Sequence, residues 1–231
     1  MNPYKPKISV IIPFYNEGPQ IKNIVGELQK SELKPEIIIV NDGSLPQYSQ
    51  NLQHIENITL INHPQNRGKS QALVTGLKST QADIVVFFDG DLINLKTGHL
   101  KAMVDPIIND QVDMVIGEFL DGFKIFNYIG QTVIFSGTRS FKRQVITKHL
   151  DIFNDFGNIN GYLIESKINR AFFKRYRVAK VKLPQLTQDY KWQKFGLIKG
   201  APTDIKMMLN IYKYLGLKEY LSQLKFARSL Q

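Results

Sequence analysis

The stretch Val85-Val86-Phe87-Phe88-Asp89-Gly90-Asp91 constrains this chain more than any other. A short apolar run that stops abruptly at two carboxylates reads as a buried strand delivering acids to the edge of a sheet, and in an open α/β sheet ligands bind beyond that edge. Carboxylates one residue apart repel and raise each other's pKa unless a cation lies between them. A hard divalent ion with oxygen ligands, Mg2+ or Mn2+, answers that need and would hold a diphosphate in turn. Asp and Gly are also ordinary turn residues, so a solvated turn is the competing reading.

The rest of the first half repeats the pattern. Ile8-Ser9-Val10-Ile11-Ile12-Pro13 is a β-branched run ended by proline, with Phe14-Tyr15-Asn16-Glu17-Gly18 as loop. Ile21, Ile24, Val25 and Leu28 fall at helical spacing. Ile37–Val40 is a second strand, ending in Asn41-Asp42-Gly43-Ser44, and Ile58–Ile61 a third. Asn66-Arg67-Gly68-Lys69-Ser70 opens a helix carrying Ala72, Leu73, Gly76 and Leu77. After the strand at 85–88 come a helix bearing Leu100, Met103, Val104 and Ile107, and a fifth strand, Met114–Ile116. The order β-α-β-β-α-β-α-β predicts an α/β fold with a mostly parallel sheet and helices on both faces. Pro13–Glu17, Asp42–Ser44, Asn66–Lys69 and Asp89–Asp91 should then converge on one cleft at the carboxyl ends of the strands.

Charge separates the halves. Residues 167–231 hold 15 Lys or Arg against three acids (Asp189, Asp204, Glu219), whereas residues 1–166 hold 15 against 17. The basic C-terminal part points to a phosphate-rich partner, an anionic membrane surface or nucleic acid; a solvated basic surface is the plain alternative. The chain has no cysteine, which excludes disulfides and thiolate metal sites. Met1–Lys7 shows no signal-peptide pattern, and no run approaches the roughly 18 apolar residues of a membrane span. The expectation is a cytoplasmic protein, soluble or peripheral on the inner face of a membrane. His54, His63, His99 and His149 lack metal-ligand spacing and read as structural or solvated.

As a set, Ile8 to Glu17, Val40-Asn41-Asp42-Gly43-Ser44, Asn66-Arg67-Gly68-Lys69 and Phe88-Asp89-Gly90-Asp91 resemble the nucleotide-sugar-binding half of family 2 glycosyltransferases with the GT-A fold. The resemblance covers about the first 120 residues and is closest to polyprenyl (dolichyl) phosphate sugar transferases and glucosyl-phosphoglycerate synthases. It implies an NDP-sugar donor, UDP- or GDP-linked, and a central Rossmann-like sheet. It further implies that Pro13, Tyr15 and Glu17 line the nucleoside site and that Asp42 accepts a hydrogen bond from base or ribose. Asp89 and Asp91, with Gly90 between them, would be the Asp-x-Asp acids meeting the metal and the diphosphate. A departing nucleoside diphosphate gains negative charge, which a carboxylate-held metal stabilises. Lys69 and Arg67 would add to that, or serve only as solvated loop residues.

The acceptor half is expected over about 121–203, with a basic amphipathic helical tail at 204–231. Phe135-Ser136-Gly137-Thr138-Arg139 resembles a Ser-Gly-x-Arg segment found near the acceptor in some members, which implies Ser136 and Arg139 as phosphate ligands. In family 2 enzymes an acid in the region of Gly161–Asn169 often deprotonates the acceptor, which makes Glu165 the candidate base; a helix acid paired with Lys167 or Asn169 is the alternative. Two departures stand out. Ile93 occupies a position where polyprenyl-phosphate enzymes often carry Gln, and Leu186–Lys191 lacks the late His of the phosphoglycerate enzymes, leaving Gln188 or Asp189 for a third metal ligand. Val178–Pro184 alternates as a strand, and Ile205, Met208, Leu209, Tyr212 and Leu215 form an apolar stripe before a helix with Leu217, Leu221 and Leu224. The leading acceptor is a polyprenyl phosphate, followed by a small phosphorylated metabolite or glycan. A nucleotidyltransferase is disfavoured because no Gly-rich loop follows the first strand. A nucleic-acid-binding module rests on charge alone and is disfavoured too.

Overall fold

The structure is a computed structural model that describes residues 5–120, 131–153, 163–188 and 213–230. A seven-stranded sheet in the order β3-β2-β1-β4-β7-β6-β8 forms its centre. These strands are β1 (Ile8–Phe14), β2 (Glu36–Asn41), β3 (Thr59–Asn62), β4 (Ile84–Phe87), β6 (Met114–Phe119), β7 (Arg139–Lys142) and β8 (Val178–Leu183). β5 (Leu92–Ile93) and β9 (Thr187–Gln188) pair antiparallel in a small second sheet beside the Asp-Gly-Asp turn.

β1 pairs parallel with β2 and β4, β2 with β3, and β6 with β8. Parallel strands covered on both faces read as nearly unbroken apolar runs, and β1 and β2 do so. Val10 and Ile12 face one layer, with Ile21, Ile24 and Leu28 of α1 (Gln20–Gln29) and Leu100, Met103 and Val104 of α4 (Thr97–Ile108). Ile11, Ile38 and Val40 face the other, with Ala72, Leu73 and Leu77 of α3 (Lys69–Ser79). Each of these Val, Ile, Leu and Met side chains, once buried, contributes roughly 1.5–3 kcal/mol. α3 lies very close to β1, since a Cβ on Gly76 would stand 2.4 Å from Ile11 Cγ2.

The sequence order of elements holds through β6, apart from β5 and the short helix α2 (Pro46–Ser49). The sheet differs at β7, which inserts antiparallel between β4 and β6. Its residues, Arg139-Ser140-Phe141-Lys142, include one apolar side chain and carry no periodicity that marks a strand, so pairing partners decide its conformation. α5 (Gln131–Ile134) precedes β7 and α6 (Arg143–Ile146) follows it.

α7 (Leu163–Phe172) packs on the α3 side through Ile164, Ile168 and Phe172. α8 (Leu217–Ser229) joins the same core through Tyr220 and Ala227, so the expected tail includes an integral part of the packing. The boundary expected at 203 and 204, the stripe at 205–212 and Asp189 lie outside the described residues. Among the described residues, no helix is long and apolar enough to cross a membrane.

Candidate active site

The carboxyl ends of β1, β2 and β3 are stitched into one edge by short-range polar contacts. Asp42 N–H donates to Phe14 O (2.8 Å), and the Asn16 amide donates to Ser44 Oγ (3.0 Å). Leu45 N–H returns to Asn16 Oδ1 (2.9 Å), and Asn41 Nδ2 reaches Asn62 Oδ1 (2.9 Å). Gly43 has φ +72° and its missing Cβ would fall 2.4 Å from the backbone of Gln65, so the Asp-Gly turn needs glycine for both conformation and space.

Asp42 is almost wholly buried. Its Oδ1 accepts from His63 Nδ1 (2.6 Å) and the Arg67 amide (3.0 Å), and Oδ2 accepts from the Gly68 amide (2.7 Å). His63 Nε2 meets Thr75 Oγ1 at 2.9 Å, so a neutral ring that donates from Nδ1 accepts the threonine hydroxyl. The carboxylate expected to read the base or ribose is thus engaged in holding the 66–68 loop and the start of α3. His63, read from sequence as structural or solvated, is structural.

That loop places Lys69 at the first position of α3. Its ammonium lies 2.7 Å from Asp89 Oδ1 and 3.1 Å from Glu165 Oε1, so strand β4 and helix α7 meet through one lysine. Burial alone would lower the pKa of Lys69, but the charges of Asp89 and Glu165 and hydrogen bonds to both outweigh it and hold the ammonium above its ordinary value. Asp89 is partly exposed, whereas Glu165 is buried and its Oε2 has no hydrogen-bond partner among the described residues. Glu165 lies in the first turn of α7, where the helix dipole favours an anion.

Two glycines leave room at this cluster. A Cβ on Gly137 would lie 2.5 Å from Asp89 Oδ2 and 2.6 Å from Lys69 Nζ. A Cβ on Gly90 would lie 3.1 Å from Pro13 O and 3.5 Å from Glu17 Cγ, which places Pro13 and Glu17 beside the Asp-Gly-Asp turn. Tyr15 is exposed at the same edge, and Asp91 is partly exposed immediately before β5. The structure therefore brings together Pro13, Glu17, Lys69, Asp89, Gly90 and Glu165. Gly137 belongs here too and was missed as a site residue; its only sequence signal is a glycine in the Ser-Gly-Thr-Arg turn.

Ser136 and Arg139 are placed otherwise than expected. Arg139 is 1% exposed, and its guanidinium donates to Ser136 O (2.8 Å), Ile134 O (3.3 Å) and Asn169 Oδ1 (2.7 Å). Burial lowers its pKa to about 10 against the opposing pull of Glu165. Ser136 is buried with its hydroxyl directed to Thr138 O (3.4 Å). The polar atoms of these two residues, expected from the sequence to ligate an acceptor phosphate, are turned inward onto carbonyls that the turn would otherwise bury unpaired. Among the described residues no group of three His, Asp or Glu is arranged to hold a metal ion.

A mostly parallel sheet with an antiparallel strand beside β4, and paired acids at the end of β4, define the GT-A fold of nucleotide-sugar transferases. The model of glycosyl transferase family 2 matches residues 9–175, and the chain belongs to that family. It is 35% identical over 138 residues to the UDP-N-acetylglucosamine–dolichyl-phosphate N-acetylglucosaminyltransferase of Methanococcus voltae, covering 52% of this chain and 54% of the relative. With the dolichol-phosphate mannosyltransferase of Pyrococcus furiosus it shares 27% identity over 128 residues, 53% of this chain and 36% of the relative. The chain spans about half or less of the length of these curated relatives. In fold it is similar to glucosyl-3-phosphoglycerate synthase from Mycobacterium tuberculosis, solved with Mn2+, UDP and phosphoglyceric acid: TM-score 0.69, 19% identity, 98% of this chain and 80% of that one.

Proposed function

We propose that this glycosyltransferase moves a sugar from a UDP- or GDP-linked donor to a phosphate-bearing acceptor, with a polyprenyl phosphate as the leading candidate. The observation that carries the reading is the Asp89–Lys69–Glu165 cluster at the carboxyl end of β4. It combines a cation suited to a diphosphate with acids suited to a divalent ion. The lipid-phosphate acceptor is supported by what the archaeal relatives are named for, and by the basic C-terminal part.

The residues fit a metal. Asp89 is partly exposed, and the missing side chain of Gly137 leaves space over its Oδ2. Asp89 and Asp91 would hold Mg2+ or Mn2+, which when bound neutralises charge on the departing diphosphate. Lys69 stays protonated at neutral pH and places a fixed positive charge beside the diphosphate. Pro13, Tyr15 and Glu17 border the nucleoside at the end of β1. Glu165 is buried against Lys69; with an acceptor that is already an anionic phosphate it orients Lys69, whereas with a hydroxyl acceptor it takes the proton. Arg67 is exposed beside the loop and supplements the positive field.

Thermal stability with UDP-, GDP- and dTDP-sugars in the presence of Mn2+ tests the donor, since a ligand at 100 times its Kd adds about 2.7 kcal/mol. Radiolabel transfer to a polyprenyl phosphate and to a phosphorylated three-carbon acid then separates the acceptors. Asp91→Asn is expected to lower turnover by about a hundredfold or more while the fold is retained. Full metal-dependent turnover in that variant, or no stabilisation by any nucleotide sugar, would overturn the reading.

A further inference from the structure

A buried chain of hydrogen bonds runs from the C-terminal helix to the turn that lies over Asp89 and Lys69. Gln223 of α8 offers Oε1 to Asn169 Nδ2 (3.1 Å), while its own Nε2 donates to Ser166 O (3.2 Å) and Glu219 Oε1 (3.1 Å). Asn169 of α7 also donates to Ile134 O (2.9 Å) and accepts from Arg139 Nη1 (2.7 Å). Arg139 then holds Ser136 O through Nε (2.8 Å), the carbonyl immediately before Gly137. Arg139, Asn169 and Gln223 are each no more than 2% exposed.

A guanidinium and two amides are costly to bury, and apolar groups of similar shape would fill the same space without that cost. What the polar chain supplies is direction: each amide has one acceptor and one set of donors to satisfy, so the positions of α8, α7 and the 134–138 turn are linked atom by atom. The turn has little freedom at its other end, where Gly137 lies in contact distance of Asp89 and Lys69. Small shifts of Ser136 would therefore move the backbone that confines both side chains.

The geometry points to Gln223, Asn169 and Arg139 as positioning residues through which the C-terminal helix sets the 134–138 turn against Asp89 and Lys69. They touch no reacting group in this arrangement. The relay is a property of the fold, and only its link to nucleotide binding rests on the function proposed above.

Amide hydrogen exchange on the full chain reads the relay without any substrate. The Phe135 and Ser136 amides are hydrogen-bonded to Gln131 O and Val133 O, so loosening of the turn exposes them. Gln223→Met should speed their exchange by at least about tenfold while amides of β1, β2 and β4 keep their protection. Asn169→Ala should do the same, and so should Asn169→Asp, which keeps an acceptor for Arg139 but loses the donor to Gln223 Oε1 and Ile134 O. Leu221→Ala, on the outer side of α8, should change nothing at 135–138. In the same Gln223→Met protein the Kd for UDP with Mn2+ should rise by at least about tenfold. Unchanged exchange at 135–138 in Gln223→Met, or acceleration spread equally over β1, β2 and β4, overturns the relay. If the unaltered protein fails to bind UDP, GDP or dTDP-sugars, the proposed function falls while the exchange comparison still decides the relay. Faster exchange at 135–138 with an unchanged Kd for UDP overturns the positioning role.

Discussion

At Gly137 the absence of a side chain leaves room for two charged groups. A methyl group there would collide with Asp89 Oδ2 and Lys69 Nζ, both of which are ends of side chains that can move aside. Gly137→Ala is therefore expected to leave the melting temperature within a few degrees of the parent, but to displace the carboxylate and ammonium from each other. Turnover should fall by about tenfold or more, equivalent to about 1.4 kcal/mol of barrier. An unchanged rate in steady-state assays would place Asp89 and Lys69 outside the reacting centre. The contrast with Asp42 is instructive. Both acids end a strand in an Asp-Gly pair, yet backbone amides and His63 claim the Asp42 carboxylate, and a lysine ammonium at the cleft claims Asp89.

Between elements, a single carboxylate joins three strands. Asp113, just before β6, accepts from Lys142 Nζ of β7 (2.9 Å) and from the Arg177 side chain (3.0 and 3.2 Å) and amide (3.0 Å) before β8. Burial would raise its pKa, but the hydrogen bonds from Arg177 and Lys142 outweigh that and hold it well below the usual carboxylate range. Because the folded-state pKa is depressed, this stabilisation is present above the ordinary carboxylate pKa and is lost as pH falls through the folded one. Asp113→Asn should cost about 1–3 kcal/mol at neutral pH. Denaturant midpoints measured from about pH 6 down to about pH 2 should fall less steeply in the variant than in the parent. Parallel curves would show that the staple contributes nothing to the β6, β7 and β8 junction.

Over the whole molecule, the charge imbalance seen in the sequence meets an apolar ridge. On α8, Leu217 and Leu221 are exposed one turn apart, with Lys218 and Lys225 exposed alongside, while Tyr220, Gln223 and Ala227 face inward. One side of α8 thus belongs to the core, and the other has the composition of an interfacial helix. The full chain is expected to float with anionic vesicles at low salt, and to be released as salt screens an attraction of about 1 kcal/mol per basic residue near the surface. Leu217→Ser combined with Leu221→Ser should reduce the floated fraction without altering the buried side. Equal flotation with neutral vesicles, or none at low salt, would favour a water-soluble phosphorylated acceptor.

Much of this architecture is legible in the residues themselves. Apolar runs of β-branched residues, helices at 3.6-residue spacing and polar tails after each strand are local signals, and they specify β1 to β4 and β6, the flanking helices and the edge that holds Asp89 and Asp91. Other decisions depend on partners distant in sequence. Residues 139–142 become a strand because β4 and β6 offer unpaired edges to them. Arg139 turns inward because Ile134, Ser136 and Asn169 present acceptors there, although the same Ser-Gly-x-Arg spacing suits a phosphate equally well on paper. Lys69 and Glu165 stand 96 positions apart, and no periodicity relates them. Local patterning determined which elements form and where their polar ends lie; packing in three dimensions decided which of those polar groups face a ligand and which are consumed in holding the fold, because a buried donor or acceptor must find whatever partner the tertiary structure brings within reach.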